Sequence, residues 1–211
     1  MNKKDRAVYF VEALKERYPQ AVCSLNASSP FQLLVATRLS AQCTDARVNL
    51  VTPELFRQYP DAPTMATATY QQIEELIKTC GLYKTKAKSL VDMATTLCTK
   101  YSGQVPNTLE ELVQLPGIGR KTANLIMGDI FHAPSIVVAD THLIRITNRF
   151  GLVASKDPYK VEVALRKLLP PEESNDFCHR IVHFGREICV ARNPKCNECP
   201  CQDVCPKKGI L

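Results

Sequence analysis

The chain has 211 residues, 45% of them hydrophobic, with a formal net charge of +6 and an isoelectric point near 8.8. That length allows one large or two modest domains with filled cores, and the positive balance favours a polyanionic partner, although local patches count for more than the sum. No apolar run is long enough to span a membrane. The charged start Asn2-Lys3-Lys4-Asp5-Arg6 leads into an amphipathic pattern with Glu12, Lys15, Glu16 and Arg17 rather than an apolar h-region, which argues against a secretory signal and for a soluble cytoplasmic protein.

Ala7, Val11, Leu14 and Tyr18 mark one face of a first helix, and Ser29-Pro30 with Gln32 reads as a capping box with proline at the first helical position. Ile73, Leu76, Ile77 and Cys80 mark a helix expected to stop at Gly81, and Ala87, Leu90, Ala94, Leu97 and Tyr101 continue the period through a long one. Thr108 and Glu111 have capping-box spacing, with Leu109, Leu112 and Val113 behind them, so a short helix should run into Pro116 and stop there. Ala123, Ile126, Met127 and Ile130 give the next helix its buried stripe. Residues 135–139 alone look strand-like, too short and solitary to imply a sheet. Asp157-Pro158 opens a helix carrying Val161, Leu165 and Leu168, and Phe177, Ile181, Phe184 and Ile188 form the last. The expected class is all-α.

The most informative string is Leu115-Pro116-Gly117-Ile118-Gly119-Arg120-Lys121-Thr122-Ala123. Gly117 and Gly119 free the backbone for positive φ and close approach to an anion, and a helix beginning near Arg120 adds its own N–H groups and positive dipole end. The result is a helix-hairpin-helix that grips a phosphate through main-chain donors and so positions a duplex without reading its sequence. An ordinary helix-turn-helix corner is the plainer alternative. Lys121 falls in the first turn of the second helix, where its amine can reach a nucleotide sugar. An ordinary lysine amine is neutral in about 1 molecule in 2,500 at pH 7, a deficit of roughly 4.6 kcal/mol. The helix N-terminus, Arg120 and a closing DNA cleft all disfavour an ammonium. Downstream, Asp140-Thr141-His142 offers a carboxylate that can accept a proton or support positive charge on a sugar. The plainer readings are a phosphate-binding lysine and a helix N-cap. Further basic candidates are Lys84, Lys86 and Lys88, and Lys207-Lys208.

Five of the ten cysteines lie between positions 189 and 205, and four of them, Cys189, Cys196, Cys199 and Cys205, are spaced C-x6-C-x2-C-x5-C. Thiolates crowded in a loop punctuated by Pro194, Pro200 and Pro206 fit a soft metal centre, and spacing alone leaves tetrahedral zinc and a 4Fe-4S cluster both open. Cys201 reads as a bystander. A disulfide framework is the remaining alternative, disfavoured without any sign of secretion. Cys23, Cys43, Cys80, Cys98 and Cys178 are scattered and read as buried apolar thiols, and His179 and His183 as ordinary helix residues.

Together the 115–123 string, the Asp140-Thr141-His142 step, the Leu39-Ser40-Ala41-Gln42-Cys43-Thr44-Asp45 segment and the Gly81-Leu82-Tyr83 step resemble the endonuclease III family of bifunctional DNA glycosylase/AP lyases of base excision repair. The resemblance covers nearly the whole chain. It implies a two-lobed helix-hairpin-helix glycosylase fold with DNA in the groove: a six-helix lobe over residues 22–132 with the hairpin at 108–130, and a discontinuous iron-sulfur lobe of residues 1–21 plus 133–211. It selects the 4Fe-4S cluster for Cys189, Cys196, Cys199 and Cys205. It makes Lys121 and Asp140 catalytic. Gly117, Gly119 and Arg120 grip DNA, Leu82 and Gln42 fill the gap left by a flipped nucleotide, and Ser40, Asp45 and His142 line the pocket. Without the resemblance, Leu82 reads as core and Gln42 as helix surface.

The implied partner is double-stranded DNA holding a damaged base or an abasic site, bound by a nucleoid-associated monomer. The implied chemistry is removal of oxidised pyrimidines followed by β-elimination through a lysine Schiff base. An adenine-mispair glycosylase shares the hairpin, the aspartate and the cluster but uses water in place of a lysine, whereas this chain has Lys121. A noncatalytic metal-stabilised DNA-binding module and an electron carrier are the readings from other classes.

Overall fold

A computed structural model describes residues 1–210, and every regular element among them is helical: eleven α-helices and two short 3-10 turns. No helix among the described residues is long and apolar enough to cross a membrane. The strand-like segment 135–139 belongs to no sheet: Ser135 is left-handed at φ 59°, and the Asp140 N–H turns back to the Val138 carbonyl at 2.9 Å. The Ser135 N–H donates to the Pro171 carbonyl at 2.9 Å and the Val138 N–H to the Cys178 sulfur at 3.3 Å, so a turn and a thiol satisfy what a neighbouring strand would otherwise have satisfied.

The chain divides into two compact units, Cys23–Phe131 and Met1–Val22 with His132–Leu211. The first holds α2 (Pro30–Ser40), α3 (Asp45–Gln58), α4 (Ala62–Ala66), α5 (Tyr70–Ile77), α6 (Tyr83–Tyr101), α7 (Leu109–Leu112) and α8 (Arg120–Asp129). α6 is its hub, packing on α2, α4 and α5, and Leu34, Leu39, Leu55, Ile73, Ile77, Leu90, Met93, Leu97 and Ile126 are wholly buried around it. α2 starts as its sequence requires, with Pro30 in the first turn and the Ser29 hydroxyl accepting the Gln32 N–H at 3.2 Å. The Gln32 amide oxygen turns to the N–H of Ser28 instead of Ser29, so half of the expected capping box forms.

Two helices end early, each for a local reason. α5 stops at Ile77 rather than at Gly81, and Leu82, not the glycine, takes the left-handed conformation at φ 58°. α7 stops at Leu112, short of Pro116. A residue before proline is disfavoured in the α region, so the chain tightens through i to i+3 bonds from the N–H groups of Gln114 and Leu115 to Glu111 and Leu112.

The second unit joins α1 (Lys3–Arg17) to α9 (Thr141–Arg149), α10 (Pro158–Arg166), α11 (Ser174–Glu187) and the cysteine loop. α1 buries Ala7, Phe10, Val11 and Leu14 and packs on α11. Its ion pairs, Lys15 with Glu173 and Arg17 with Glu187, lie at the surface, each with an exposed cation, and contribute little. The joint is Phe10, which is 1% exposed. It stacks on Phe150 with centroids 4.1 Å apart and meets Phe177 and Phe184 edge-on at 5.5 and 5.7 Å. Phe10→Ala is expected to destabilise this unit by about 3–5 kcal/mol in urea unfolding followed by circular dichroism; a loss within the scatter of surface substitutions would mean the aromatic cluster is not what holds α1.

Candidate active site and cysteine loop

The hairpin is built on two glycines with different jobs. Gly117 is left-handed, at φ 78°, and a Cβ there would lie 2.4 Å from Arg38 Nε and 3.0 Å from Ser89 Cβ. Arg38 is itself fixed by donating Nε–H to the Ser89 hydroxyl at 2.9 Å, so the loop rests on a wall formed by α2 and α6. Gly119 does not share the positive φ expected of it: at φ −97° and ψ 172° it is the extended N-cap of α8. Its use lies in what it lacks. No side chain caps α8, and a Cβ at 119 would meet nothing within 4 Å, leaving the helix start open to an external acceptor. Arg120 and Lys121 are exposed in the first turn.

Two other segments of the same unit meet. Gln42, just beyond α2, and Leu82, just before α6, are both left-handed, at φ 55° and 58°. A Cβ on Gly81 would stand 3.3 Å from the Gln42 carbonyl oxygen, so the two loops touch by backbone. Gln42 is exposed, and Leu82 is 60% exposed, not core. Ser40 and Asp45, on either side of Gln42, have local duties: the Ser40 hydroxyl donates to the Thr37 carbonyl at 2.9 Å, and the Asp45 carboxylate accepts the Ser24 hydroxyl at 2.8 Å. The basic patch expected from Lys84, Lys86 and Lys88 is corrected. Residues four apart share a helix face and the one between them does not; Lys84 and Lys88 are exposed, whereas Lys86 is buried and donates to the Leu39 carbonyl at 2.7 Å.

In the second unit Asp140 is the N-cap of α9. Its Oδ1 accepts the Leu143 N–H at 2.7 Å, and its Oδ2 faces His142 Nδ1 at 3.1 Å. The segment before it is held to α11 through Cys178. α9 seats on α11 at Gly185, where a Cβ would come within 2.7 Å of His142 Cδ2 and 2.9 Å of Ile146 Cδ1. Gly185 escaped sequence reasoning because nothing local marks it; only the contact explains it.

At the far end of α9 are the cysteines. Cys189, Cys196, Cys199 and Cys205 line one cavity with Phe10, Ile146, Phe150, Phe184, Ile188 and Arg149. Arg149 donates to the Val190 carbonyl at 2.7 Å and the Ala191 carbonyl at 2.8 Å, and reaches the Cys189 sulfur at 3.5 Å. Arg145 donates to the Cys189 carbonyl at 3.0 Å. Backbone N–H groups of Cys201 and Lys207 point at the Cys199 and Cys205 sulfurs, each at 3.4 Å. Such N–H groups aimed at sulfur favour thiolates. Cys199 is pushed down to about 7, chiefly by its hydrogen bond with Cys201, while burial holds Cys189 and Cys205 up. Arg145 and Arg149 are one turn apart on α9, some forty residues before the cysteines they hold, so nothing local in the sequence linked them to that loop. Of the scattered cysteines, Cys80 and Cys178 are buried as expected, but Cys23, Cys43 and Cys98 are only partly so. His183 stacks on Tyr18 at 6.1 Å.

The geometry has clear relatives. The HhH-GPD superfamily of base excision DNA repair proteins matches residues 35–171. Endonuclease III of Synechocystis is 45% identical over 97% of this chain and 94% of its own length, and endonuclease III of Escherichia coli K12 is 38% identical over 99% and 98%. Among solved structures, a trapped endonuclease III–DNA covalent intermediate is similar with a TM-score of 0.91 and 38% identity, over 98% of this chain and 97% of that one.

The two hairpin glycines should respond differently to the same methyl group. Gly117→Ala combines a strained positive φ with a clash on Arg38 and is expected to lower stability by about 1–3 kcal/mol. Gly119→Ala meets open space and costs about 1 kcal/mol or less, the difference between the two residues as N-caps. Equal losses in thermal unfolding would contradict this assignment.

Proposed function

The chain belongs to the endonuclease III family of the HhH-GPD superfamily, and on that premise we propose how its own residues divide the work of a base excision repair enzyme that is both DNA glycosylase and abasic-site lyase on damaged pyrimidines. The observation that carries the reading is an exposed lysine, Lys121, in the first turn of a helix whose N-terminus no side chain caps. The open N–H groups and Arg120 hold a DNA phosphate, and this sets the lysine beside the neighbouring deoxyribose.

A damaged nucleotide leaves the stack at a cost of a few kcal/mol, less when it is badly paired. The Lys121 amine attacks the sugar C1′ as the base departs. The sugar ring then opens at C1′–O4′ to give a Schiff base, which acidifies the C2′ proton; a base takes that proton as the C3′–O bond breaks, and β-elimination releases the 3′ phosphate. Asp140 accepts a proton or supports the cationic sugar through Oδ2, because Oδ1 is already bound to the Leu143 N–H. His142 Nδ1 stands against that same Oδ2 and orients it. Gln42 and Leu82 fill the vacated space in the stack, Leu82 as an apolar wedge and Gln42 as a hydrogen-bonding partner of the orphaned base.

The cysteine loop fits a 4Fe-4S cluster: four thiols line a common cavity, and backbone N–H groups aimed at the Cys199 and Cys205 sulfurs suit ligating thiolates. Cys189, Cys196, Cys199 and Cys205 would hold the cluster, one thiolate to each iron. Bound there, it supplies a cross-link for the loop that Arg145 and Arg149 fasten to α9.

Two experiments test this reading. Borohydride should trap the wild-type protein covalently on abasic DNA and leave Lys121→Ala free. Asp140→Asn retains an N-cap as good as aspartate and so should keep its melting temperature while trapping falls by about 10²–10⁴-fold. A Lys121→Ala adduct as abundant as wild type would reject the assignment. The purified protein should also contain about four irons per chain, lost with loop order in Cys199→Ser; zinc without iron would refute the cluster.

A further inference from the structure

We propose that Lys86 is a positioning residue, a buried brace that sets the spacing between the loop carrying Gln42 and the loop carrying Leu82. The proposal rests on the reading of those two side chains as the gap-filling pair.

Lys86 is 1% exposed and among the largest wholly buried side chains. A buried ammonium is costly without a partner, and this one has a specific partner, the Leu39 carbonyl oxygen at 2.7 Å. Leu39 lies in the last turn of α2, where carbonyls lack helical donors and the dipole end is negative. Three residues further on, the chain reaches Gln42. The main chain of Lys86 serves the other loop: its N–H donates to the Leu82 carbonyl at 3.0 Å and closes the first turn of α6. One residue therefore fastens both loops, by side chain to one and by backbone to the other. Between them, Gly81 lets the Gln42 carbonyl approach to 3.3 Å of where a Cβ would be.

The conformations of the two loops require such a fixture. Gln42 and Leu82 are both left-handed without being glycine, a strain that persists only where the surroundings impose it. Leu82 gains little from burial in return, being 60% exposed. Burial draws the Lys86 amine down from its ordinary range, and the nearby Cys43 and Cys80 thiols oppose that shift. These are the residues after Gln42 and before Gly81, so the brace occupies the junction of the two loops. Both thiols are absent from the proposed chemistry.

The test compares Lys86→Met, Gly81→Ala, Gln42→Ala and Leu82→Ala, each as the iron-loaded enzyme. Two single-turnover rates are measured for each: excision of a damaged pyrimidine from a duplex, and borohydride trapping on an abasic single strand, which has no stacked gap to fill. A purely structural defect lowers both rates together. Positioning lowers their ratio, and Lys86→Met and Gly81→Ala are each expected to reduce it about tenfold or more. They should also blunt the fluorescence change of 2-aminopurine placed opposite the lesion. If Gln42→Ala and Leu82→Ala lower the ratio but Lys86→Met and Gly81→Ala do not, the brace is rejected and the gap-filling pair stands. If Gln42→Ala and Leu82→Ala leave it unchanged, the gap-filling reading falls and the brace falls with it. Should Lys86→Met fail to fold, Gly81→Ala decides.

Discussion

Helix starts impose the constraint that organises this molecule. The first N–H groups of a helix have no partner within it and need one from elsewhere. Eight of the eleven helices solve this internally, with a side chain of Asn2, Ser29, Thr44, Asp61, Thr69, Thr108, Asp140 or Asp157 accepting a bond from the first turn. The three that do not are α6, α8 and α11. α11 follows directly on the 3-10 turn Pro171–Glu173. The other two begin at Leu82 and at Gly119, the loops assigned to the gap and to the phosphate. On the proposed reading, the uncapped start at Gly119 gives up local stability to keep its donors open for a phosphate, and the one at Leu82 keeps an apolar side chain in the capping position free to enter the stack.

The second unit meets a different requirement, that of holding a carboxylate still. Asp140 ends a segment that no sheet supports, and its position is set instead by Cys178 behind it and α9 ahead. α9 is a strut with a role at each end. Its N-terminus presents Asp140 and His142, its middle lies against Gly185, and its C-terminus sends Arg149 into the cysteine loop. Whatever orders that loop therefore also anchors the helix that carries the carboxylate. A metal cluster can contribute in this way without taking part in the chemistry, as a structural tie acting at a distance along one rigid element.

What could be read from the sequence, and what could not, follows from the range of the forces involved. Caps, prolines at helix starts and the all-helical class depend on residues a few positions apart, and Ser29-Pro30, Thr108 and Asp157-Pro158 all open helices in the structure. The cysteine spacing was legible for the same reason. Lys86 was misjudged because a lysine between two exposed lysines gives no local sign of burial; only the free Leu39 carbonyl on another helix explains it. Gly119 was expected to turn left-handed because sequence shows that a glycine is permissive without showing what the permission is used for. At 117 it is used for φ, and at 119 for the absence of a side chain. Gly185 and Arg38 belong to the same class, residues whose meaning is a contact.

In the proposed mechanism Asp140 meets a structural and a chemical demand with one side chain. A carboxylate has two oxygens, and an N-cap uses only one of them. The cap bond to the Leu143 N–H at 2.7 Å fixes the plane and direction of the group through Oδ1. That leaves Oδ2 oriented at no further cost in side-chain freedom, with the His142 imidazole 3.1 Å away. A carboxylate placed elsewhere on the helix surface would have to be ordered at the moment of reaction. Here the ordering was completed when the helix formed, so in the proposed role of Asp140 the fold itself would supply the preorganisation that proton transfer requires.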